Sequence, residues 1–364
     1  MILERLVTLD DTLALALGAG ILGTGGGGNT YIGRLMLENA LRRSGVGYRI
    51  IDAADVPDDA LVCAVGTMGA PTVGVEKLMN GGEFVTVVRA LEDHMRQPFA
   101  ALLIGEIGGA NALKPLIAGL QLGLPVVDGD GMGRAFPELQ MDTFSIGGLS
   151  LTPFALGDNH GNVVILDHVD SSLRSESYAR SLTIEMGGSA ALAMPTLRGR
   201  DMKAHIIRGT LGLAQRMGAA VLEARRAGDD PAEVAAALGR GRVLFRGKIA
   251  DVERRTVQGF ARGRLTIAPF GGGETMEIVF QNENLVAWQG GEVVCTVPDL
   301  ICILSLDDGE PIGTEMLRYG LRVAVLGLPA PRELKTPAAL AVVGPAAFGY
   351  PEVTFTPLPG DLLD

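Results

Sequence analysis

The chain has 364 residues and a formal net charge of −11, from 31 Lys and Arg against 42 Asp and Glu, and this length predicts two domains. The acidic balance and the 5 % aromatic content argue against nucleic acid and against a membrane surface as partners. The three cysteines are widely spread without a CxxC pair, which argues against a thiolate metal cluster and predicts a cytoplasmic location.

The first 150 residues alternate short apolar runs with helical patterns. Helices are predicted at residues 11–19, 31–43, 75–79, 84–95 and 112–122, and strands at residues 48–51, 61–65, 100–104 and 125–128. Strands that alternate with helices and are bounded by glycine indicate a mostly parallel sheet with helices on both faces. We therefore predict an α/β class protein that begins with a three-layer α/β/α domain over residues 1–165.

The remainder of the chain has a different pattern. Residues 152–169 predict a hairpin, and helices are predicted at residues 185–197, 202–227 and 232–238. Short strands with glycine turns then follow, at residues 242–245, 264–267, 276–280, 285–288, 293–297, 301–306 and 322–326. This spacing predicts a β-barrel-like C-terminal domain over residues 166–364, β-rich from residue 240, whose helices between residues 175 and 240 are available to pack on the first domain.

A run of glycines between two predicted helices is the first candidate site. Consecutive backbone N–H groups at the start of a helix can hold an anion or a developing oxyanion. The residues predicted to bind a substrate in this way are Gly25, Gly26, Gly27, Gly28 and Asn29. A tight turn for helix packing is one alternative. A GxGxxG dinucleotide motif with Asp52 as ribose-binding acid is another, but that motif needs a strand where the sequence indicates a helix.

An acidic stretch over residues 127–142 follows the last strand predicted in the first domain, at the end where open α/β sheets bind ligands. Its carboxylates suit acid–base catalysis, with Asp128 and Asp130 as the base and Glu138 as the proton donor. Arg134 would orient a substrate carboxylate. Asp128 and Asp130 could equally ligate a divalent metal, the one cofactor left open. The alternative is an acidic strand–loop boundary in which Arg134 pairs internally.

Polar residues also follow two other predicted strands. Thr67 follows one strand, and Glu106, Gly109 and Asn111 follow another. Because loops after parallel strands converge on one edge of a sheet, we expect these residues to bind substrate in the same crevice as the glycine run. Glu106 and Asn111 could each equally cap a helix.

Other polar residues carry weaker signals. The triplet at residues 282–284 lies between apolar runs, and a hairpin turn is the favoured interpretation. Cys295 and Cys302 lie in apolar strands and are expected to be core thiols. The four histidines lack ligand spacing, and the sequence has no Gly-x-Ser-x-Gly motif, so it predicts neither a zinc site nor a serine triad.

Six stretches in chain order resemble the S-methyl-thiohydantoin desulfurase-like family, whose genes lie beside hydantoinase and oxoprolinase genes. They are GTGGGGNTY at residues 23–31, GGAN at 108–111, DGDGMGRAFPELQM at 128–141, NEN at 282–284, PDLI at 298–301 and GPAAFGY at 344–350. The resemblance implies a three-layer α/β domain joined to a β-barrel-like domain. It also implies hydrolytic chemistry on a hydantoin-type five-membered ring.

These observations predict a homo-oligomeric hydrolase whose small-molecule substrate is a hydantoin-like or S-methyl-thiohydantoin ring. The alternative is a non-catalytic subunit or ligand-binding partner of a hydantoinase- or oxoprolinase-type complex. A nucleotide-dependent oxidoreductase is a third hypothesis, which fails if a helix precedes Gly23. The hydrolase hypothesis requires the glycine run and residues 127–142 to face one hollow.

Overall fold

The computed structural model describes residues 5–69, 71–257 and 259–363. The helices are α1 (Thr12–Leu22), α2 (Thr30–Ser44), α3 (Pro71–Glu76), α4 (Gly82–Met95), α5 (Lys114–Leu122), α6 (Thr143–Ile146), α7 (Ser172–Glu185), α8 (Gly199–His205), α9 (Thr210–Ala227), α10 (Pro231–Leu238) and α11 (Pro337–Val343). The strands are β1 (Arg5–Val7), β2 (Tyr48–Ile51), β3 (Leu61–Gly69), β4 (Phe99–Ile104), β5 (Val126–Asp130), β6 (Phe154–Gly157), β7 (Val163–Leu166), β8 (Ser189–Arg198), β9 (Ile207–Arg208), β10 (Arg242–Val257), β11 (Phe260–Pro269), β12 (Met276–Gln281), β13 (Glu283–Gln289), β14 (Glu292–Thr296), β15 (Leu300–Ser305) and β16 (Arg322–Leu328).

The first sheet has the strand order β1-β2-β5-β4-β3-β8-β6-β7, with β9 also paired to β5. Its central strands β2, β5, β4 and β3 are parallel, and its outer strands are antiparallel. The predicted parallel sheet is therefore present as the centre of a larger mixed sheet. Within the described residues, no helix has the length and apolar character needed to cross a membrane.

Successive residues of the central strands face two different helical layers. In β3, Cys63 and Val65 pack in one core with residues of α1, α2, α4 and α5. Val62 and Ala64 pack in another core with Met202 of α8. This alternation follows from the period of two in a strand, and it leaves helices on both faces of the sheet.

The second sheet is antiparallel throughout, with the order β14-β13-β12-β11-β10-β16-β15. It curls into a half-barrel, so that β13 and β14 approach β15 from across the sheet. The inner face holds its own apolar core, which includes Ile249, Ile267, Ile278 and Val325. Cys295 and Cys302 are buried free thiols, as expected from the sequence.

The helix predicted at residues 185–197 is wrong. Residues 189–198 form β8, which pairs with β3 and β6 and is buried along nearly its whole length. A continuous apolar run has no period that separates a buried strand from a buried helix. The helix predicted at residues 202–227 is interrupted by β9, and its longer part is α9. Helix α9 packs closely on α1, because a Cβ on Gly18 would lie 1.7 Å from the Ala214 carbonyl oxygen. The domain division at residue 165 stays a prediction.

Candidate active site

A pocket of about 180 Å³ lies where the carboxyl ends of β3 and β4 meet the start of β13. The two strands are parallel neighbours, so the segments that follow them emerge at one edge of the sheet. The predicted site residues that line this pocket are Gly27, Gly28, Asn29, Thr67, Glu106, Asn111 and Glu138. Both the glycine run and the stretch over residues 127–142 therefore contribute to one hollow.

The glycine loop, residues 23–29, crosses the 3₁₀ turn at Gly109–Ala112. The N–H groups of Ala110 and Asn111 donate to the carbonyl oxygens of Gly28 (3.1 Å) and Gly27 (3.0 Å). A Cβ on Gly27, whose φ is 77°, would lie 2.1 Å from the carbonyl oxygen of Gly108. Among the described residues, neither Gly27 nor Gly28 has a protein acceptor for its own N–H. Both glycines line the pocket, and their amides carry no protein hydrogen bond there.

The dinucleotide interpretation of the glycine loop is wrong. The segment before the loop is α1, which ends at Leu22, whereas the dinucleotide motif requires a strand there. Asp52 caps a short turn by accepting from the Ala54 N–H at 2.7 Å. After the loop, Asn29 caps α2 by accepting from the Ile32 N–H at 3.1 Å.

A polar network of four side chains forms one wall of the pocket. Asn111 Oδ1 accepts from the N–H and the hydroxyl of Thr67, each at 3.0 Å, and from Lys114 Nζ at 2.7 Å. Asn111 Nδ2 donates to the Thr67 carbonyl oxygen at 3.2 Å and to Glu106 Oε1. Lys114 Nζ also donates to Thr67 Oγ1. Asn111 therefore holds a hydroxyl, an amine and a carboxylate together.

The two charged members of this network have shifted pKa values. Burial raises the pKa of Glu106 to about 7, against the opposing effects of the Asn111 hydrogen bond and the Lys114 charge. Burial lowers the pKa of Lys114 to about 8, against the opposing charge of Glu106. Both groups therefore change protonation near neutral pH, as acid–base catalysts must.

Glu283 brings a second carboxylate to the pocket from the other sheet. The chain reverses direction at Asn282, whose φ is 58°, and Glu283 begins β13 with only 2 % of its surface exposed. Its Oε2 has no hydrogen-bond partner among the described residues. Burial and the Glu106 carboxylate raise the pKa of Glu283 well above its usual range, and the Arg134 charge opposes them. Two carboxyl groups thus influence each other across the hollow.

Asp128 and Asp130 do not line the pocket. Asp128 Oδ1 accepts from the N–H groups of Leu211 (2.9 Å) and Gly212 (3.1 Å), at the start of α9. Asp130 has no exposed surface, and its Oδ2 accepts from three backbone N–H groups at 2.8–3.0 Å. Each carboxylate organises the backbone around it, so the pocket geometry does not support their predicted role as the catalytic base, which stays a prediction.

The structure also gives no support to the alternative that Asp128 and Asp130 ligate a divalent metal. Backbone N–H groups donate to one oxygen of each carboxylate, Asp128 Oδ1 and Asp130 Oδ2, a role that needs no metal. Across the described part of the chain, no three His, Cys, Asp or Glu side chains are grouped as metal ligands.

Arg134 does not line the pocket, so the geometry does not support its predicted role in orienting a carboxylate, which stays a prediction. It has no exposed surface, and its five N–H groups donate to five acceptors. One acceptor is Thr24 Oγ1 in the glycine loop, and the others are carbonyl oxygens of Ala135, Asn284, Pro298 and Asp299. The guanidinium group therefore joins the glycine loop, its own loop and the second sheet, which is the internal pairing that the sequence left open.

Gly25, Gly26 and Gly109 lie behind the pocket wall and do not line it. The Gly25 carbonyl oxygen accepts from the Thr314 N–H at 2.8 Å, and Gly109, whose φ is 64°, packs against the glycine loop. A Cβ on Gly26 would lie 1.9 Å from Glu283 Oε1. These three glycines therefore serve close packing rather than ligand binding. At position 26 the absence of a side chain makes room for the Glu283 carboxylate.

Asp130→Asn is expected to keep full turnover, because the side chain lies outside the pocket. Burial raises the pKa of Asp130 to about 7, so its folded-state value lies above the unfolded value of about 3.9. Its contribution to the free energy of unfolding is therefore lost as pH rises from about 4 to about 7, at about 1.4 kcal/mol per pKa unit. Urea unfolding from pH 5 to pH 8 should show a smaller loss of stability in the variant than in wild type.

Gly26→Ala is expected to fold but to lose about 100-fold in kcat, the cost of a displacement of about 1 Å at a reacting group. The new methyl group meets the end of the Glu283 side chain, which can move, so the effect falls on the carboxylate. Gly27→Ala should instead lower the melting temperature of the protein. Its methyl group would meet rigid backbone atoms, and Gly27 has a positive φ that alanine rarely adopts. A Gly26→Ala protein with wild-type kcat would show that the Glu283 position is unimportant.

The charged residues of the pocket that sequence reasoning missed include Lys114, Arg180 and Glu283. Lys114 lies three residues after Asn111 in a helical turn, and this spacing could have identified it. Glu283 belongs to the polar triplet at residues 282–284. The hairpin-turn interpretation of this triplet is correct for the backbone but overlooks the side chain. Arg180 of α7 pairs with Glu176 and lies 4.0 Å over the Phe260 ring, and no local pattern marks it.

The chain matches two family models in succession. The model described as the S-Me-THD-like N-terminal domain matches residues 10–168, and the S-Me-THD-like C-terminal domain matches residues 170–358. No curated protein matches the chain. The fold is similar to the crystal structure of a protein from Chromobacterium violaceum, with a TM-score of 0.84 and 24 % identity over 97 % of this chain and 100 % of that chain. At this identity the similarity shows the fold alone.

Proposed function

The chain belongs to the S-Me-THD-like family, and we propose that it is a hydrolase acting on a hydantoin-like or S-methyl-thiohydantoin ring. The observation that carries the proposal is the meeting of Glu106, Lys114 and Glu283 in one glycine-lined pocket. Replacing a methylthio group by water requires proton transfers to and from the ring and the leaving thiol. Groups whose protonation changes near neutral pH are suited to these transfers.

The size and lining of the pocket support a small ring with an apolar substituent. A cavity of about 150 Å³ holds benzene, so about 180 Å³ accommodates a five-membered ring with a methylthio group. The apolar wall includes five methionines: Met36, Met68, Met79, Met132 and Met194. Methionine side chains are polarisable and adapt to irregular shapes, which suits contact with a methylthio group.

The mechanism assigns separate tasks to the polar groups. Glu283, whose pKa is raised by burial and by Glu106, donates a proton to the ring nitrogen as the ring carbon is attacked. The free N–H groups of Gly27 and Gly28 stabilise negative charge that develops on the ring oxygen or nitrogen. The water that enters becomes the new carbonyl oxygen, and methanethiol leaves.

Release of methanethiol from an S-methyl-thiohydantoin, measured with a thiol reagent on the purified protein, tests this function. Catalytic release that scales with protein concentration supports the hydrolase. A ligand-induced rise in melting temperature without thiol release would instead support the non-catalytic, ligand-binding alternative. The cytoplasmic location, the homo-oligomer and the hydantoinase- or oxoprolinase-type partners stay predictions.

A further inference from the structure

We propose that Thr67 is the nucleophile of this hydrolysis and that Lys114 is the base that takes its hydroxyl proton. The inference rests on the proposed function and adds to it the atom that attacks the ring. It makes the reaction a two-step process with a covalent enzyme intermediate, rather than a direct attack by water.

The contacts of Thr67 meet the geometric requirements for such a residue. Its hydroxyl lies at the end of β3 on the pocket wall, in hydrogen-bond contact with Lys114 Nζ. Lys114 is held in turn by Asn111 Oδ1 at 2.7 Å, and the Asn111 amide is held by Glu106. A nucleophile in contact with a base that a third group orients is the arrangement found in catalytic triads and in Ser–Lys variants.

The same pair lies beside donors for the developing charge. Lys114 Nζ is 3.9 Å from the point where a Cβ on Gly28 would stand. Gly27 and Gly28, whose amides have no protein acceptor among the described residues, line the same pocket as Thr67 and Lys114. Backbone donors next to a nucleophile are the second requirement for attack on an acyl-type carbon.

The ionisation of the pair supports its role. Burial lowers the pKa of Lys114 to about 8, so neutral amine is present at mildly alkaline pH. In its charged form Nζ donates to Thr67 Oγ1, and in its neutral form the same contact lets Nζ accept the hydroxyl proton. Glu106, the nearby carboxylate, opposes the loss of charge and keeps the amine able to return the proton.

The chemistry balances over two steps. In the first, Thr67 Oγ bonds to the ring carbon that bears sulfur, Lys114 takes the hydroxyl proton, and the C=N electron pair moves to the nitrogen, which Glu283 protonates. The C–S bond then breaks, the nitrogen returns its proton to Glu283, and methanethiolate takes the proton from Lys114. In the second, water adds to the same carbon, one of its protons goes to the ring nitrogen and the other to Thr67 Oγ as the C–O bond to Thr67 breaks, and the hydantoin carbonyl forms.

The test compares Thr67→Val, Thr67→Ser and Lys114→Met with wild type, using an S-methyl-thiohydantoin. We expect Thr67→Val to lose at least about 1,000-fold in kcat and Thr67→Ser to retain most activity. Acid-quenched wild type should carry the ring minus methanethiol on the peptide that contains Thr67. Lys248→Met, an exposed lysine on β10, is the matched control. Thr67→Val with a kcat within tenfold of wild type would overturn the inference and leave the proposed function standing.

A second measurement does not depend on the substrate. A small arylsulfonyl fluoride labels an activated hydroxyl, and peptide mass spectrometry locates the label. Labelling of Thr67 in wild type that disappears in Lys114→Met supports the inference even if no thiol is released, in which case only the proposed substrate is wrong. Absence of label on Thr67, together with no covalent ring adduct, would overturn it.

Discussion

Replacing Glu283 with glutamine is expected to lower kcat for thiol release by about 100- to 10,000-fold, the usual contribution of a general acid or base. The amide keeps the size of the side chain but cannot donate a proton at the same acidity. Because Glu283 is 2 % exposed and its Oε2 lacks a partner, the carboxylate is costly to bury. The variant should therefore be as stable as wild type or more stable, while it is inactive.

The control for this variant is Glu277→Gln. Glu277 lies on the adjacent strand β12, is partly exposed and pairs with the exposed Arg264 at 3.1 Å. Exposed ion pairs contribute about 0–1 kcal/mol, so both activity and stability should remain near wild type. Wild-type thiol release by a folded Glu283→Gln protein would remove Glu283 from the mechanism.

The pH profile of the wild-type enzyme provides a further check on Glu283. If its protonated form is active, kcat falls as pH rises through its pKa, which burial and Glu106 have raised. Glu106→Gln removes the like charge and should lower the pKa of Glu283, so the alkaline fall of kcat should move to lower pH. A shift to higher pH would contradict the assignment of Glu283 as proton donor.

Replacing Arg134 with methionine is expected to lower the free energy of unfolding by at least about 3–5 kcal/mol, measured by urea denaturation. The side chain has no exposed surface, and its loss removes five buried hydrogen bonds. Each unsatisfied buried group costs about 1–3 kcal/mol, and relaxation recovers part of the sum. Because the acceptors lie in the glycine loop, in the loop of Arg134 itself and in the second sheet, the variant should weaken the attachment of the glycine loop to the second sheet.

The free energy of unfolding of Arg134→Lys should lie between those of wild type and Arg134→Met. Lysine keeps the charge but has only three donors, in a different geometry. Arg174→Met is the surface control, because Arg174 is exposed and its pairing with Asp170 spans 3.6 Å. Arg174→Met should change the free energy of unfolding by no more than about 1 kcal/mol. A stable Arg134→Met protein would show that these five hydrogen bonds do not hold the pocket together.

Local sequence patterns determined much of this protein. Glycine-bounded apolar runs are sufficient to predict the parallel strands β3 and β4. The signals that identify a strand, and the helical pattern that separates two parallel strands, are each contained in a short stretch of sequence. The glycine run and the polar residues after these strands predicted the pocket edge, since parallel strands bring their carboxyl ends together. The resemblance in six stretches identified the family that both matched domains show.

Tertiary structure alone decided which polar groups face the hollow. Asp130 and Arg134 have the residue types of a catalytic pair, yet burial and backbone hydrogen bonds give them structural roles. Glu283 lies more than 170 residues after Glu106, and only the packing of the half-barrel on the first sheet brings the two carboxylates together. The direction of a side chain and its distance from a residue remote in sequence depend on long-range packing, which no local pattern encodes.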